Sequence, residues 1–312
     1  MRTAKLKLWY WLIVGCAFAH LSLSEAIGDQ STVNATIADV PLLVAAPRNI
    51  TEHTPVIIMY HGFGPPNTPE LLAQALPPIP NAITVYASLP LVGKRMPAGG
   101  VEELLKRQNN DYVGQLLYPS MLVAARELPR IIEGLSKTYG LSKSSPIVLF
   151  GFSAGGAAAL LSLTESNVHP CAVIVVNAPL SIAQAVDAYE RQSKNVYRWT
   201  EEAKEASKHY DIENTAERIA RLNPKTAFLI LQSERDAGPT VQAAQSAAAA
   251  LKRAASRYRR EPDISAKQLS DADHSVFGGS ESATTQRTVI DWIEQHASSR
   301  PSLKQTRSKP SN

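Results

Sequence analysis

Cysteine is scarce in this chain of 312 residues, which contains only Cys16 and Cys171. Two cysteines cannot form a disulfide scaffold, nor a zinc site built from several thiolates. Aromatic residues make up 6% of the sequence and charged residues 19%, while hydrophobic residues reach 44%. This composition excludes a disordered or collagen-like chain and predicts a globular protein of one or two domains.

A strong excess of either charge is also lacking, because the formal net charge is only +4. Residues 1–26 carry +2 of it and residues 297–312 carry +4, which leaves −2 for residues 27–296. A slightly acidic body argues against nucleic acid as a partner. Residues 297–312 are rich in serine and lysine without apolar periodicity, so we expect a basic, disordered tail.

One unbroken apolar run, Leu8–Ala19, lies near the start of the chain. Basic residues precede it and small polar residues follow it up to Ala26, which is the three-part pattern of a secretory signal. The run is too short for a comfortable membrane span. We predict that residues 1–26 are a cleaved signal peptide and that the protein is secreted or periplasmic, with no stable membrane span after processing. Cleavage after Ala19, a lipid anchor on Cys16 and a retained anchor are the alternatives.

Strand-like and helix-like segments alternate through residues 27–296, which we predict to be one domain. The buried strands are predicted from short runs of β-branched and apolar residues at Pro55–Tyr60, Ala82–Tyr86, Pro146–Phe150, Cys171–Val176 and Ala227–Leu231. Two earlier strands, Val33–Ile37 and Pro41–Ala45, are predicted to be antiparallel, and a last strand is predicted over Asp263–Leu269. The pattern predicts an α/β fold with a mostly parallel sheet and helices on both faces.

One connection is longer than a single crossover helix requires, namely residues 178–225 between two predicted strands. Its helical stretches include Tyr189, Tyr197, Trp199 and Tyr210. An insertion on the side where strands end is well placed to cover a pocket. A helical lid and a pair of ordinary packing helices are equally compatible with this segment.

The strongest chemical motif is Gly151-Phe-Ser153-Ala-Gly155, which matches G-x-S-x-G. The pattern alone is weak, but here it lies between a buried strand and an Ala-rich helix, which is the setting that it requires. The tight turn between them exposes the serine hydroxyl and directs the helix N-terminus at the reacting centre. We predict that Ser153 is a nucleophile.

A serine nucleophile needs a base, and His274 is the best placed of the seven histidines. It follows the last predicted strand, at the same edge of the sheet as Ser153. Asp236 follows the strand before that and is the predicted acid that orients the base, with Glu234 as its competitor. Asp271 and Asp273 are too close to His274 in sequence to orient its ring easily. The order of these residues along the chain, serine, then aspartate, then histidine, is the one that accompanies a G-x-S-x-G motif in its strand–turn–helix setting.

An anion site is predicted from His61-Gly-Phe-Gly-Pro-Pro66, which follows the first central strand. The backbone N–H groups of Phe63 and Ala154 are the predicted donors to the negative oxygen of a tetrahedral intermediate, with Gly64 as the second choice for the first. His61 is interpreted as a structural, hydrogen-bonded residue. Arg95 is interpreted either as a solvated loop charge or as a ligand for a substrate carboxylate.

These motifs resemble those of the α/β-hydrolase superfamily over roughly residues 41–296. The short insertion and the size of the domain are similar to those of the carboxylesterase and dienelactone hydrolase branches. The resemblance implies a serine esterase that transfers an acyl group to Ser153 and then hydrolyses it, with no cofactor and no metal. A small-molecule ester is the expected substrate, and the oligomeric state is open.

Two other functions are compatible with the motifs. A serine peptidase of the same fold is the first, although nothing resembling an N-terminal propeller is present in the sequence. A non-catalytic binding protein with this fold is the second, but such proteins usually lack a member of the triad, and all three residues are present here.

Overall fold

The computed structural model describes residues 31–236, 238–270, 272–278 and 282–297. The predicted signal peptide, residues 1–26, lies outside the described residues. So does the predicted basic tail, apart from Ala297, which ends the last helix.

One sheet organises the described part of the chain. Its eight strands are β1 (Thr32–Ile37), β2 (Val40–Ala45), β3 (Val56–Tyr60), β4 (Ile83–Ala87), β5 (Ile147–Phe152), β6 (Ala172–Val176), β7 (Ala227–Ser233) and β8 (Ile264–Leu269). They lie in the order β1-β2-β4-β3-β5-β6-β7-β8. The pairs β1–β2 and β2–β4 are antiparallel, and every other neighbouring pair is parallel. The predicted antiparallel start and mostly parallel sheet are therefore confirmed.

Helices connect these strands. They are α1 (Pro69–Ala75), α2 (Gly100–Tyr112), α3 (Tyr118–Tyr139), α4 (Ala154–Glu165), α5 (Ile182–Ser193), α6 (Glu201–Tyr210), α7 (Ile212–Leu222), α8 (Val241–Arg257) and α9 (Ser282–Ala297). A π-helical turn at Val113–Leu117 joins α2 to α3. Within the described ranges, none of the helices combines the length and apolar character that a bilayer crossing needs.

Both faces of the sheet are covered. In β5, Leu149 belongs to a core cluster with α3 and α4, whereas Val148 and Phe150 belong to a second cluster with α1 and α9. Successive side chains of a strand point to opposite faces, so a strand between two helical layers needs apolar residues at every position. This explains why the central strands read as unbroken apolar runs.

The order in which successive strands join the sheet reverses between β3 and β5. After β3 the chain adds β4 on one side, and it then returns to add β5 on the other side. In register, Tyr60 at the end of β3 lies beside Gly151 of β5. Ligands of open α/β sheets bind at such a switch point, outside the carboxyl ends of the strands. The loops that follow Tyr60 and Phe152 flank this point.

Candidate active site

Ser153 occupies a strained turn between β5 and α4, with φ 53° and ψ −123°. A residue with a side chain rarely adopts a positive φ, and holding it there costs about 1–3 kcal/mol. Two glycines make the turn possible. A Cβ on Gly151 would collide with the backbone of Gly155, and a Cβ on Gly155 would collide with the carbonyl groups of Tyr60 and His61.

A chain of hydrogen bonds links the three residues predicted for the triad. The Ser153 Oγ atom lies 3.1 Å from His274 Nε2, and His274 Nδ1 lies 2.9 Å from Asp236 Oδ2. A carboxylate only accepts, so Nδ1 carries the proton and donates to Asp236, which leaves Nε2 to accept from the serine hydroxyl. The arrangement is that of a nucleophile, a base and the acid that orients the base.

Asp236 is fixed by more than the histidine. Its Oδ1 atom accepts from the backbone N–H of Gly238 at 2.7 Å, and Gln232 Nε2 lies 3.3 Å from Oδ2. Its side chain is only 2% exposed. The competing Glu234 is exposed, and of these two acids it is Asp236 that contacts the histidine. An Asp side chain often accepts from the backbone two residues further on, so the Asp-x-Gly triplet contains a signal for the Gly238 contact. No motif in the sequence indicates the Gln232 contact.

The imidazole of His274 also contacts an aromatic ring of the serine turn. Its ring centroid lies 5.2 Å from that of Phe152, and Phe152 in turn packs edge-on against Phe277 at 5.7 Å. Asp273, one of the acids rejected as the orienting acid, accepts from the backbone N–H of Ser275. Asp271, the other, lies outside the described residues.

The loop after β3 lies directly against Ser153. A Cβ added to Gly62 would stand 3.0 Å from the Ser153 Cβ, which is closer than ordinary van der Waals contact, so glycine allows the loop to approach the serine without displacing it. Among the described residues, neither the Phe63 N–H nor the Ala154 N–H donates a hydrogen bond to another group. Both groups therefore remain available to bind an anion, as the sequence predicts for an oxyanion site. That role stays a prediction.

His61 holds this loop in place. Its ring is buried, with Nδ1 2.8 Å from the carbonyl oxygen of Gly62 and Nε2 accepting from the Leu89 N–H at 3.1 Å. Burial lowers the pKa of His61 from the usual 6.5 to about 4. A neutral ring with both nitrogens bonded is not a free base, which supports the structural interpretation.

Arg95 differs from both interpretations drawn from the sequence. It forms a bidentate ion pair with Glu127, at 2.6 and 2.9 Å, and donates to the carbonyl oxygen of Ser88. The two side chains are only 16% and 12% exposed. Arg95 is therefore neither a solvated loop charge nor free to bind a substrate carboxylate, because Glu127 occupies its guanidinium.

The insertion at residues 178–225 contains three helices, and its first helix, α5, reaches the acid loop. Arg191 of α5 lies 3.2 Å from the carbonyl oxygen of Gly238. Tyr189 of α5 stacks on Tyr112 at 4.7 Å, and Asp111 accepts from Tyr197 and Thr200 of the insertion. The segment is thus anchored beside the site, while its action as a lid stays a prediction.

Metal ligation was not expected at this site. Across residues 31–236, 238–270, 272–278 and 282–297, no group of three or more His, Cys, Asp or Glu side chains is arranged to hold a metal ion. The groups that the structure brings together at this site are a hydroxyl, an imidazole and a carboxylate.

More than half of the chain, residues 126–300, matches the prolyl oligopeptidase family. No curated protein matches it in sequence. Among solved structures, TT1662 from Thermus thermophilus is similar with a TM-score of 0.63 and 17% identity, over 87% of this chain and 100% of that one. The esterase Pf2001 of Pyrococcus furiosus is similar with a TM-score of 0.55 and 15% identity, over 86% and 92%.

A peptidase is also among the similar structures. The acylaminoacyl peptidase of Pyrococcus horikoshii has a TM-score of 0.57 and 14% identity, over 86% of this chain and 42% of that one. The chain thus spans less than half the length of that peptidase. At such identities these likenesses concern the fold, and they agree with the α/β-hydrolase fold predicted from the motifs.

The shifted pKa of His61 predicts a pH-dependent loss of stability. Between pH 6.5 and 4 the unfolded chain binds a proton on this histidine that the folded chain does not, so stability falls as pH falls through this window. From pH 7.5 to 5.0, wild-type protein should lose about 2 kcal/mol more unfolding free energy than His61→Gln. Denaturant unfolding at both pH values measures this difference.

The exposed His53 provides the control. The variant His53→Gln should lose as much stability as wild-type protein over the same pH step. Equal losses in wild-type protein and His61→Gln would contradict the assignment.

Proposed function

Because this chain belongs to the prolyl oligopeptidase family, whose members are serine hydrolases of the α/β-hydrolase superfamily, we propose that it hydrolyses carboxylic esters through an acyl-enzyme on Ser153. The observation that carries the proposal is the hydrogen-bond chain from Ser153 through His274 to Asp236. Serine is a weak nucleophile unless a base removes its proton, and His274 Nε2 is within reach of that proton.

In the first half of the reaction, Ser153 Oγ bonds to the carbonyl carbon of the ester while its proton passes to His274 Nε2. The resulting imidazolium is stabilised by Asp236. The carbonyl oxygen becomes negative and binds the N–H groups of Phe63 and Ala154. Loss of one such donor typically raises the barrier by about 3–4 kcal/mol. The C–O bond to the alcohol then breaks, and His274 returns the proton to the leaving oxygen.

In the second half, water replaces the alcohol. His274 Nε2 takes a proton from the water as its oxygen attacks the acyl carbon. A second tetrahedral intermediate collapses, the bond to Ser153 Oγ breaks, and the proton returns to the serine. This step releases the carboxylic acid and restores the Ser153 hydroxyl, so the protein is unchanged at the end of the cycle.

An ester is our preferred substrate class, and a peptide is the second candidate. The alignment with the Pyrococcus furiosus esterase extends over 92% of that protein, whereas it covers 42% of the acylaminoacyl peptidase. The family match favours the peptidase, since the family takes its name from an oligopeptidase. The chemistry at Ser153 is the same for both, and the leaving group distinguishes them.

We also propose that the protein is exported, on the basis of the charged, apolar and small-residue pattern of residues 1–26. Expression of the full chain in a Gram-negative host, followed by intact mass of the periplasmic protein, should give a chain that begins at Ile27. A mass that shows lipid on Cys16, or an uncleaved chain in the membrane fraction, would contradict this proposal in favour of an anchor.

Removal of the nucleophile should abolish turnover without unfolding the protein. For Ser153→Ala, we expect hydrolysis of a p-nitrophenyl ester to fall by at least ~10⁴-fold and labelling by a fluorophosphonate probe to disappear. The buried Ser162 on α4 provides a matched control, because its hydroxyl bonds only to the Ala159 carbonyl among the described residues. Ser162→Ala should label as wild-type protein does.

The same assay separates the two substrate classes. A p-nitrophenyl ester should be turned over, whereas a p-nitroanilide with the same acyl group should be hydrolysed no faster than by Ser153→Ala. Because p-nitrophenolate is the better leaving group even for a peptidase, anilide turnover above that background is the result that would support the peptidase. Absence of both activities and of labelling in folded protein would favour the non-catalytic binding protein.

The role of the acid is tested by comparing two neighbouring carboxylates. Asp236→Asn should lower kcat on the order of 10³–10⁴-fold, because the amide no longer selects the histidine tautomer that accepts the serine proton. Glu234→Gln should stay within about twofold of wild-type protein, as expected for a surface substitution outside the site. The opposite result in steady-state kinetics would transfer the role to Glu234.

A further inference from the structure

Asn177 follows the last residue of β6 and is 0% exposed. It lies in the left-handed backbone region, with φ 49°, which asparagine tolerates better than most residues. Its own N–H donates to the Leu231 carbonyl of β7 at 3.0 Å. No motif in the sequence assigns a role to the residue at this strand end.

The side-chain amide of Asn177 connects two loops of the site. Its Oδ1 atom accepts from the Ser233 N–H at 2.8 Å, and its Nδ2 atom donates to Ser233 Oγ at 2.9 Å. The Nδ2 atom also lies 3.2 Å from the carbonyl oxygen of His274 and 3.3 Å from that of Asp273. A backbone N–H must face the oxygen and carbonyls must face the nitrogen, so the network fixes the amide orientation.

The backbone of Ser153 is hydrogen-bonded to the same end of β6. Ser153 N–H donates to the carbonyl oxygen of Val176, the residue that precedes Asn177. Asp236 follows Ser233 by three residues. A single buried residue at the end of β6 is therefore bonded, directly or through a neighbouring residue, to the segments that carry the nucleophile, the acid and the base.

Other contacts restrain the histidine loop less directly. The Arg235 N–H donates to the Ala272 carbonyl at 3.0 Å, and Phe277 packs against Phe152. The Asn177 amide differs from these contacts, because it is a side-chain donor that bonds the backbone carbonyl of His274 itself. The position of the His274 imidazole depends on that backbone, because the position of the Cα atom determines where the ring can lie.

We propose that Asn177 is a positioning residue, whose amide holds the backbone of His274 so that the ring meets both Ser153 and Asp236. This inference rests on the proposed function, since it concerns the base of the same reaction. A misplacement of about 1 Å in a reacting group costs about 10²-fold in rate. The amide must both donate and accept, which an isosteric carboxylate cannot do.

Two substitutions separate the role of the Asn177 side-chain amide from the need for a residue that tolerates a positive φ at this position. Asn177→Gly removes the side chain, and glycine adopts a positive φ without strain. Asn177→Asp keeps the shape and the acceptor but removes the donor to the His274 carbonyl. For both variants we expect kcat/KM with a p-nitrophenyl ester to fall by about 10²-fold. The acid limb of the kcat/KM profile should also move in Asn177→Gly, which adds no charge, because the imidazole is no longer held in line with Asp236.

Asn223 is the matched control, because it is also a buried asparagine, 3% exposed, that donates to a backbone carbonyl. It lies between α7 and β7, before the strand rather than after it. Asn223→Gly should lower the unfolding temperature at least as much as Asn177→Gly, while its pH profile matches that of wild-type protein.

A double substitution tests whether Asn177 acts through the base. In a His274→Ala background, Asn177→Gly should change the residual hydrolysis by less than about twofold, since the group that it positions is absent. A further large loss there would overturn the inference in favour of a general structural role. So would wild-type activity in both Asn177 variants, or a loss of activity in Asn177→Gly with an unchanged pH profile.

Fluorophosphonate labelling of wild-type Ser153 distinguishes failure of this inference from failure of the proposed function. If wild-type protein is neither labelled nor active, the proposed function fails, and the positioning role fails with it. If wild-type protein is labelled and the Asn177 variants react at the same rate, only the positioning role is overturned.

Discussion

The positive φ of Ser153 is the constraint on which the rest of the site depends. It requires a strand that ends abruptly, a helix that begins at once, and glycines where the two backbones meet. The cost of the strained residue, about 1–3 kcal/mol, is offset by the burial of β5 and α4 on which the turn is built. The same geometry leaves Ser153 partly exposed, and it makes Ala154 the first residue of the helix, where the N–H has no partner within the helix.

The parallel sheet then brings the partners to one edge. Loops after β3, β5, β6, β7 and β8 all leave from carboxyl ends of strands, so residues far apart in sequence become neighbours. Most hydrogen bonds that hold these residues involve backbone groups. Asp236 accepts from the Gly238 N–H, the His61 ring bonds to the Gly62 carbonyl oxygen, and the Ser153 N–H donates to the Val176 carbonyl oxygen. A rigid scaffold of this kind lets short side chains meet accurately.

The fold and the central site residues were predictable because their signals are local. A strand followed by a known turn locates Ser153, and a polar loop after a predicted strand locates Asp236 and His274. The short helix α1 was missed, although Thr68 caps it and Pro69 begins it. The Arg95–Glu127 pair joins residues of different segments, and no spacing rule encodes such a contact. The role of Asn177 depends in the same way on which strands become neighbours. The Gln232–Asp236 contact joins residues only four apart, but no motif in the sequence indicates it.

Asn177 contacts the carbonyl oxygens of Asp273 and His274, and every amino acid carries a carbonyl oxygen at that position of its backbone. The contact therefore places no demand on the identity of the residues around the base. The exposed side chain of Ser275 can be exchanged without releasing the backbone that holds the imidazole, whereas that of Asp273 also accepts from the Ser275 N–H. The exposed surface of this loop can therefore vary in sequence while the backbone that positions the His274 imidazole stays in place.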